Sequence, residues 1–62
     1  MSHWVRTAEK LPSESVVVDT KIDDGNGVRN EQPLKRINNL WFHSDGSMYV
    51  YYTPTHWRAR SR

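Results

Sequence analysis

The side chains of this 62-residue chain best suited to acid–base or nucleophilic chemistry are His3, His43 and His56, with Ser44 and Ser47. A catalytic histidine needs a carboxylate to orient it and a nucleophile or a positioned substrate beside it. His56 stands in Thr55-His56-Trp57, and Asp45 is the only acid after residue 34. Ser44 and Ser47 flank Asp45-Gly46, the expected tip of a hairpin and a poor place for a protected site. The three histidines lack metal-ligand spacing. Asp23-Asp24-Gly25-Asn26-Gly27 has the composition of a calcium loop. With Gly27 at the invariant glycine, however, the first ligand would be Ile22 and the last Pro33, and neither can serve. The spacing therefore predicts a binding protein rather than an enzyme, with no metal and no cofactor.

Charge narrows the binding classes. Residues 1–34 hold four Lys/Arg and six Asp/Glu, a balance of −2; residues 35–62 hold five Lys/Arg and one acid, a balance of +4. A DNA mimic needs a dense acidic surface, which this balance excludes. Lys35, Arg36, Arg58, Arg60 and Arg62 could meet phosphate, with an aromatic ring stacking on a base. No RNP-type aromatic motif accompanies them, so nucleic acid is the alternative and not the first expectation.

The elements that position these residues must be strands. Ser15 to Ile22 is β-branched at Val16, Val17, Val18, Thr20 and Ile22. Its alternation places Val16, Val18, Thr20 and Ile22 on one face and Asp19, Lys21 and Asp23 on the other. Asp23 to Gly27 holds Asp-Gly and Asn-Gly, both hairpin signals. Val28 to Ile37 is a weaker strand, with Pro33 demanding an edge or a bulge. Asn38-Asn39 predicts a second turn, Leu40 to His43 a strand, Asp45-Gly46 a third turn and Met48 to Thr53 a strand. Thr55-His56-Trp57 starts a short last strand. The expectation is an all-β fold: a small single-layer antiparallel meander of four to five strands with an extended N-terminal arm. The whole chain forms one domain, with the arm over 1–14, the meander over 15–57 and a frayed basic tail over 58–62.

A domain of this size buries only about 60% of its unfolded surface. With no cysteine and seven aromatic residues, large rings must make its core. Pairing across Asp45-Gly46 sets His43 opposite Met48, Phe42 opposite Tyr49, Trp41 opposite Val50 and Leu40 opposite Tyr51. One face then carries Trp41, His43, Met48, Val50 and Tyr52, and the other Leu40, Phe42, Tyr49 and Tyr51. The arm is expected to cover part of the face that is not core. Tyr49, Tyr51, Phe42 and Leu40, with Lys35 and Arg36, are the candidate partner-binding residues, because rings bring large contact area at low entropic cost. Arg58, Arg60 and Arg62 are the candidate nucleic-acid contacts.

The two ends carry a resemblance. Trp4 is followed by six residues and then Leu11-Pro12, with Glu9 and Lys10 just before. Together with the close on Thr55-His56-Trp57, this resembles a small domain of unknown function common in tailed phages and prophages. The family's close usually continues into Met-Pro-Leu-Pro, whereas Arg58-Ala59-Arg60-Ser61-Arg62 follows here. The resemblance implies a bacteriophage accessory protein that binds and inhibits or redirects a host bacterial protein in the host cytoplasm. It carries no catalytic residues across. A homodimer is a further expected arrangement. No apolar run approaches the roughly 20 residues of a membrane span, and the N-terminal residues lack a signal-peptide core. Trp4 and Trp57, aided by Leu11, are expected to close the sheet as a core clasp.

Overall fold

The computed structural model describes residues 3–60. It contains five strands: β1 (Val5–Arg6), β2 (Val17–Asp23), β3 (Val28–Ile37), β4 (Leu40–His43) and β5 (His56–Ala59). They form one open antiparallel sheet in the order β1-β5-β2-β3-β4. The domain is thus a small all-β meander, with β5 carried back to the far side of β2.

The turns follow their residue chemistry. Asn38 adopts φ 57° in the two-residue link between Ile37 and Leu40, which pair directly. The β2–β3 link is a four-residue loop over 24–27, longer than a type I′ turn, with Gly25 and Gly27 at positive φ. At Asp45-Gly46 the tight turn sits one residue earlier than expected. Gly46 N donates to His43 O at 2.8 Å, and Gly46 itself takes φ 76°. Pro33 fits an interior strand because β4 reaches only as far as Leu34 on β3. Its other side faces no strand, so its missing N–H costs no ladder bond. Nearby, Asn30 at φ 57° accommodates the register shift between Thr20 and Ile22.

Residues directly opposite in an antiparallel ladder share a face, so the pairing sorts every side chain. Val18, Thr20, Leu34, Gln32, Trp41, Arg36 and Trp57 lie on one face. Val18, Leu34 and Trp41 are buried there to 3% exposure or less, with Val50, Tyr52 and Trp57 packed against them. Burying each such side chain stabilises by roughly 1.5–3 kcal/mol. Thr20 is buried with them and donates its hydroxyl to Gln32 O at 2.7 Å.

Two crossing segments cover this face. The first follows β4. His43 N donates to Met48 O and Val50 N to Trp41 O, both at 2.8 Å, around the pair Phe42–Tyr49. The expected register is therefore present, but the expected strand over Met48 to Thr53 is not. After Val50 the chain leaves the ladder and crosses the core. Gln32 Nε2 lies 2.6 Å from the Tyr52 hydroxyl, Pro54 is buried, and Thr55 N reaches Lys21 O at 3.0 Å. Val50 and Tyr52 pack against Val18, Leu34 and Trp41 along this path, burial that an edge strand would not give them.

The second segment is the arm. After β1 it makes a single turn, with Glu9 N and Lys10 N both donating to Arg6 O. Trp57 Nε1 then donates to Lys10 O at 2.7 Å and Arg36 Nη2 to Pro12 O at 2.9 Å. Trp57 and Arg36 both belong to the core face, so the arm beyond β1 covers the core, while Trp4 at its start lies over Lys21 and Arg58 on the opposite face. Val16 lies before β2 and is half exposed.

Candidate partner-binding face

Both crossing segments lie on one side, and the other side of the sheet stays open. Its cross-strand rows follow from the register. Val17, Lys35, Phe42 and Tyr49 form one row across β2, β3, β4 and the Met48–Val50 stretch. Arg58, Asp19 and Pro33 form the next, and Arg6, His56 and Lys21 the one beyond. Ile37 and Leu40 close the far end.

Four of the expected partner-binding residues come together here. Phe42 and Tyr49 meet edge to face with centroids 5.9 Å apart, and Tyr49 and Tyr51 do so at 5.3 Å. Leu40 is 44% exposed, Tyr49 41% and Tyr51 83%. Lys35 lies beside Phe42, its amine against Gly46.

Arg36 is a correction. It pairs with Trp41 on the core face, where its guanidinium donates to Asn38 O at 2.7 Å as well as to Pro12 O and stands 3.8 Å from Glu14. It holds the arm in place and is not available to a partner. Successive strand residues point to opposite faces, so Lys35 and Arg36 cannot share one. That alternation is the signal that could have separated them.

The core clasp is a second correction. The first and last segments do pair, but as Val5 opposite Trp57 and Arg6 opposite His56. Trp4 is therefore on the open face. Its ring has Lys21 Nζ 4.4 Å and Arg58 Cζ 4.5 Å from its centroid, both within cation–π range. Trp57 packs on the core cluster. The two rings share no cluster, and Leu11, at 47% exposure, joins neither. Pro12 beside it is the buried member of the Leu-Pro pair.

The basic tail begins later than expected. Arg58 is inside β5, and its Nε lies 3.5 Å from Asp19 Oδ2; Arg60 Nε lies 3.4 Å from Asp19 Oδ1. Arg62 falls outside the described residues. Asp19 thus gathers two arginines beside Trp4, and Lys21 stands 3.6 Å from Asp23 on the same face. Sequence reasoning missed this cluster because Asp19 and Arg58 are 39 positions apart, and only the β2–β5 pairing brings them together.

Among the described residues, no carboxylate is a ladder partner of His43 or His56. His56 has Arg6 and Lys21 as cross-strand neighbours, and its Nδ1 lies 2.8 Å from Thr55 Oγ1. That hydroxyl also accepts from Asp23 N at 2.8 Å, which ties the β5 entry to the end of β2. Asp24 accepts two hydrogen bonds from Arg29 at 2.9 Å and one from Asn26 N. These hold its carboxyl down at about 2. Asp45 is held below the usual carboxylate range by hydrogen bonds from Ser47. Both acids sit in turns and brace them.

Comparison with protein-family models, with curated proteins and with solved structures finds no match to this chain.

Proposed function

We propose that this chain is a non-enzymatic binding protein that docks the open face of its sheet, centred on Tyr49 and Tyr51, onto another protein. The resemblance of its two ends supplies the setting: an accessory protein of a tailed phage that inhibits or redirects a host bacterial protein in the host cytoplasm. The observation that carries the docking reading is Tyr51. In a domain whose stability depends on burying rings, this tyrosine is 83% exposed, meets Tyr49, and lines one surface hollow with Tyr49 and Leu40, both also exposed. Contiguous exposed rings mark interaction sites, and tyrosine is favoured at the centres of interfaces. The test is affinity capture from bacterial lysate with the parent chain and with Tyr51→Arg and Tyr49→Ala. A host protein held by the parent and lost by both variants supports the proposal. Capture that ignores both substitutions removes it.

Nucleic acid is the second reading, favoured by Arg58 and Arg60 standing on the same face as the rings. It is weakened by Asp19, which both arginines already contact. The mutual edge-to-face ring geometry also offers no run of parallel platforms for bases. Affinity for DNA or RNA that falls steeply with salt, with a slope reduced by replacing Arg58, Arg60 and Arg62, would establish it.

A further inference from the structure

Lys35 differs from every other sheet cation of the open face. Arg6 has Glu9 at 3.8 Å, Lys21 has Asp23 at 3.6 Å, and Arg58 and Arg60 share Asp19. Lys35 makes no ion pair among the described residues. It is half-buried in the row Val17–Lys35–Phe42–Tyr49, between an aliphatic and an aromatic neighbour.

Phe42 and Tyr49 continue the row of Lys35, so an occupant laid along that row also takes water away from the lysine. Removing an ammonium from water without a counter-charge costs several kcal/mol. A purely apolar occupant would therefore be rejected by the charge it covers. A second copy laid face to face brings Asp19 and Asp23, both already paired, and leaves only Glu31, which stands beside Asp19 and Arg58 four residues along β3 from Lys35. Phosphate would meet Lys35, but a nucleic-acid strand following this face would also run over Asp19 and Asp23.

We propose that the open face takes a segment of a protein partner that presents a carboxylate to Lys35 and apolar side chains to Leu40, Tyr49 and Tyr51. The inference rests on the docking reading above and adds the partner's chemistry: acidic and apolar together. The carboxylate sets register and the rings supply area, a division usual for charges at protein interfaces.

The experiment is selection of peptides from a random displayed library on the full chain, with the selected peptides then resynthesised and titrated. Lys35→Met keeps the aliphatic stem and removes the charge; Tyr51→Arg removes the exposed ring. Both are checked for parental circular dichroism and melting before use. The expected result is peptides enriched in Asp or Glu beside apolar residues, bound roughly tenfold more weakly by Lys35→Met and not at all by Tyr51→Arg. Two controls run alongside: titration with oligo-thymidylate, and sedimentation over a concentration series.

Peptides lost on Tyr51→Arg but showing no acidic enrichment and no response to Lys35→Met would overturn this inference and leave the docking reading standing. Oligo-thymidylate binding that depends on Lys35, or self-association abolished by Tyr51→Arg, would replace the proposed occupant. Selected peptides that bind Tyr51→Arg as well as the parent would overturn both.

Discussion

Trp4 and Trp57 lie on opposite faces of one sheet, because the residue after Trp4, Val5, is the direct partner of Trp57. One tryptophan therefore belongs to the core and the other to the open surface. The consequences can be measured ring by ring.

The chain's three tryptophans should rank in stability as Trp41, then Trp57, then Trp4. Trp41 is 3% exposed, and its loss should cost about 3–5 kcal/mol. A 62-residue domain holds only about 3–9 kcal/mol in total, so Trp41→Ala should leave little folded protein. Trp57 is half-buried and also donates to Lys10 O. Trp57→Ala should cost about 2–3 kcal/mol, below the range for a fully buried ring. Trp4→Ala loses two surface cation–π contacts, worth roughly 0.5–1 kcal/mol each. Urea unfolding of the three variants checks the order. A Trp4 variant that melts with Trp57→Ala would restore the clasp.

The sheet was legible where alternation was strong and obscure where it was short. Val17 to Asp23 carries enough β-branched residues to declare a strand, and the Asn38 turn and the Phe42–Tyr49 register follow from local chemistry. β1 has two residues. Two residues carry no period, so nothing local set its register, and a one-residue slip exchanges faces. That is why Trp4 and Trp57 appeared to belong together. The departure of the chain after Val50 was equally hidden. Tyr51-Tyr52-Thr53 has good strand propensity, and only tertiary burial of Tyr52 and Pro54 takes it out of the ladder. On the candidate face, Leu40, Phe42, Tyr49 and Tyr51 were readable from the hairpin register, whereas the Asp19–Arg58–Arg60 cluster depends on a pairing with no local signature.

Tyr51 should be dispensable for folding. Its side chain is 83% exposed, its one ring contact is with Tyr49, and surface changes of this kind usually fall within about 0.5 kcal/mol. Tyr51→Ala should therefore melt like the parent. A loss of several kcal/mol would mean that the ring is structural, and would remove the main support for a docking face.

Arg36 should control the arm. Its guanidinium joins Pro12 O, Asn38 O and the Glu14 carboxylate, with only 16% of the side chain exposed. Hydrogen bonds to charged groups are worth about 1.5–3 kcal/mol. Arg36→Ala should destabilise by about that much and raise amide exchange over residues 10–16 more than in β2. Arg36→Lys should recover little, because an ammonium cannot reproduce the planar fork that serves two carbonyls. Equal exchange across the arm and β2 would show that the arm does not open separately.

The acid side of the stability curve should carry a signature of Asp24. Arg29 and the Asn26 amide hold its folded carboxyl at about 2, against an ordinary value of 3.8. A carboxyl whose folded value lies below its unfolded one stabilises the fold above the unfolded value and loses that contribution as pH falls toward the folded one. The contribution should therefore be complete above about pH 4 and should fade between there and about pH 2. Asp24→Asn should flatten stability across that window while leaving neutral-pH binding intact, since the loop lies beyond the Val28 end of β3, away from the rings. The carboxyl is exposed, so added salt should shrink the difference between parent and variant. The measurement is chemical denaturation of both proteins at closely spaced pH values, alongside a carbon-detected titration of the Asp24 carboxyl. Parallel curves through the window, or an Asp24 that titrates at its ordinary value, would show that the Arg29 pair does not hold in solution.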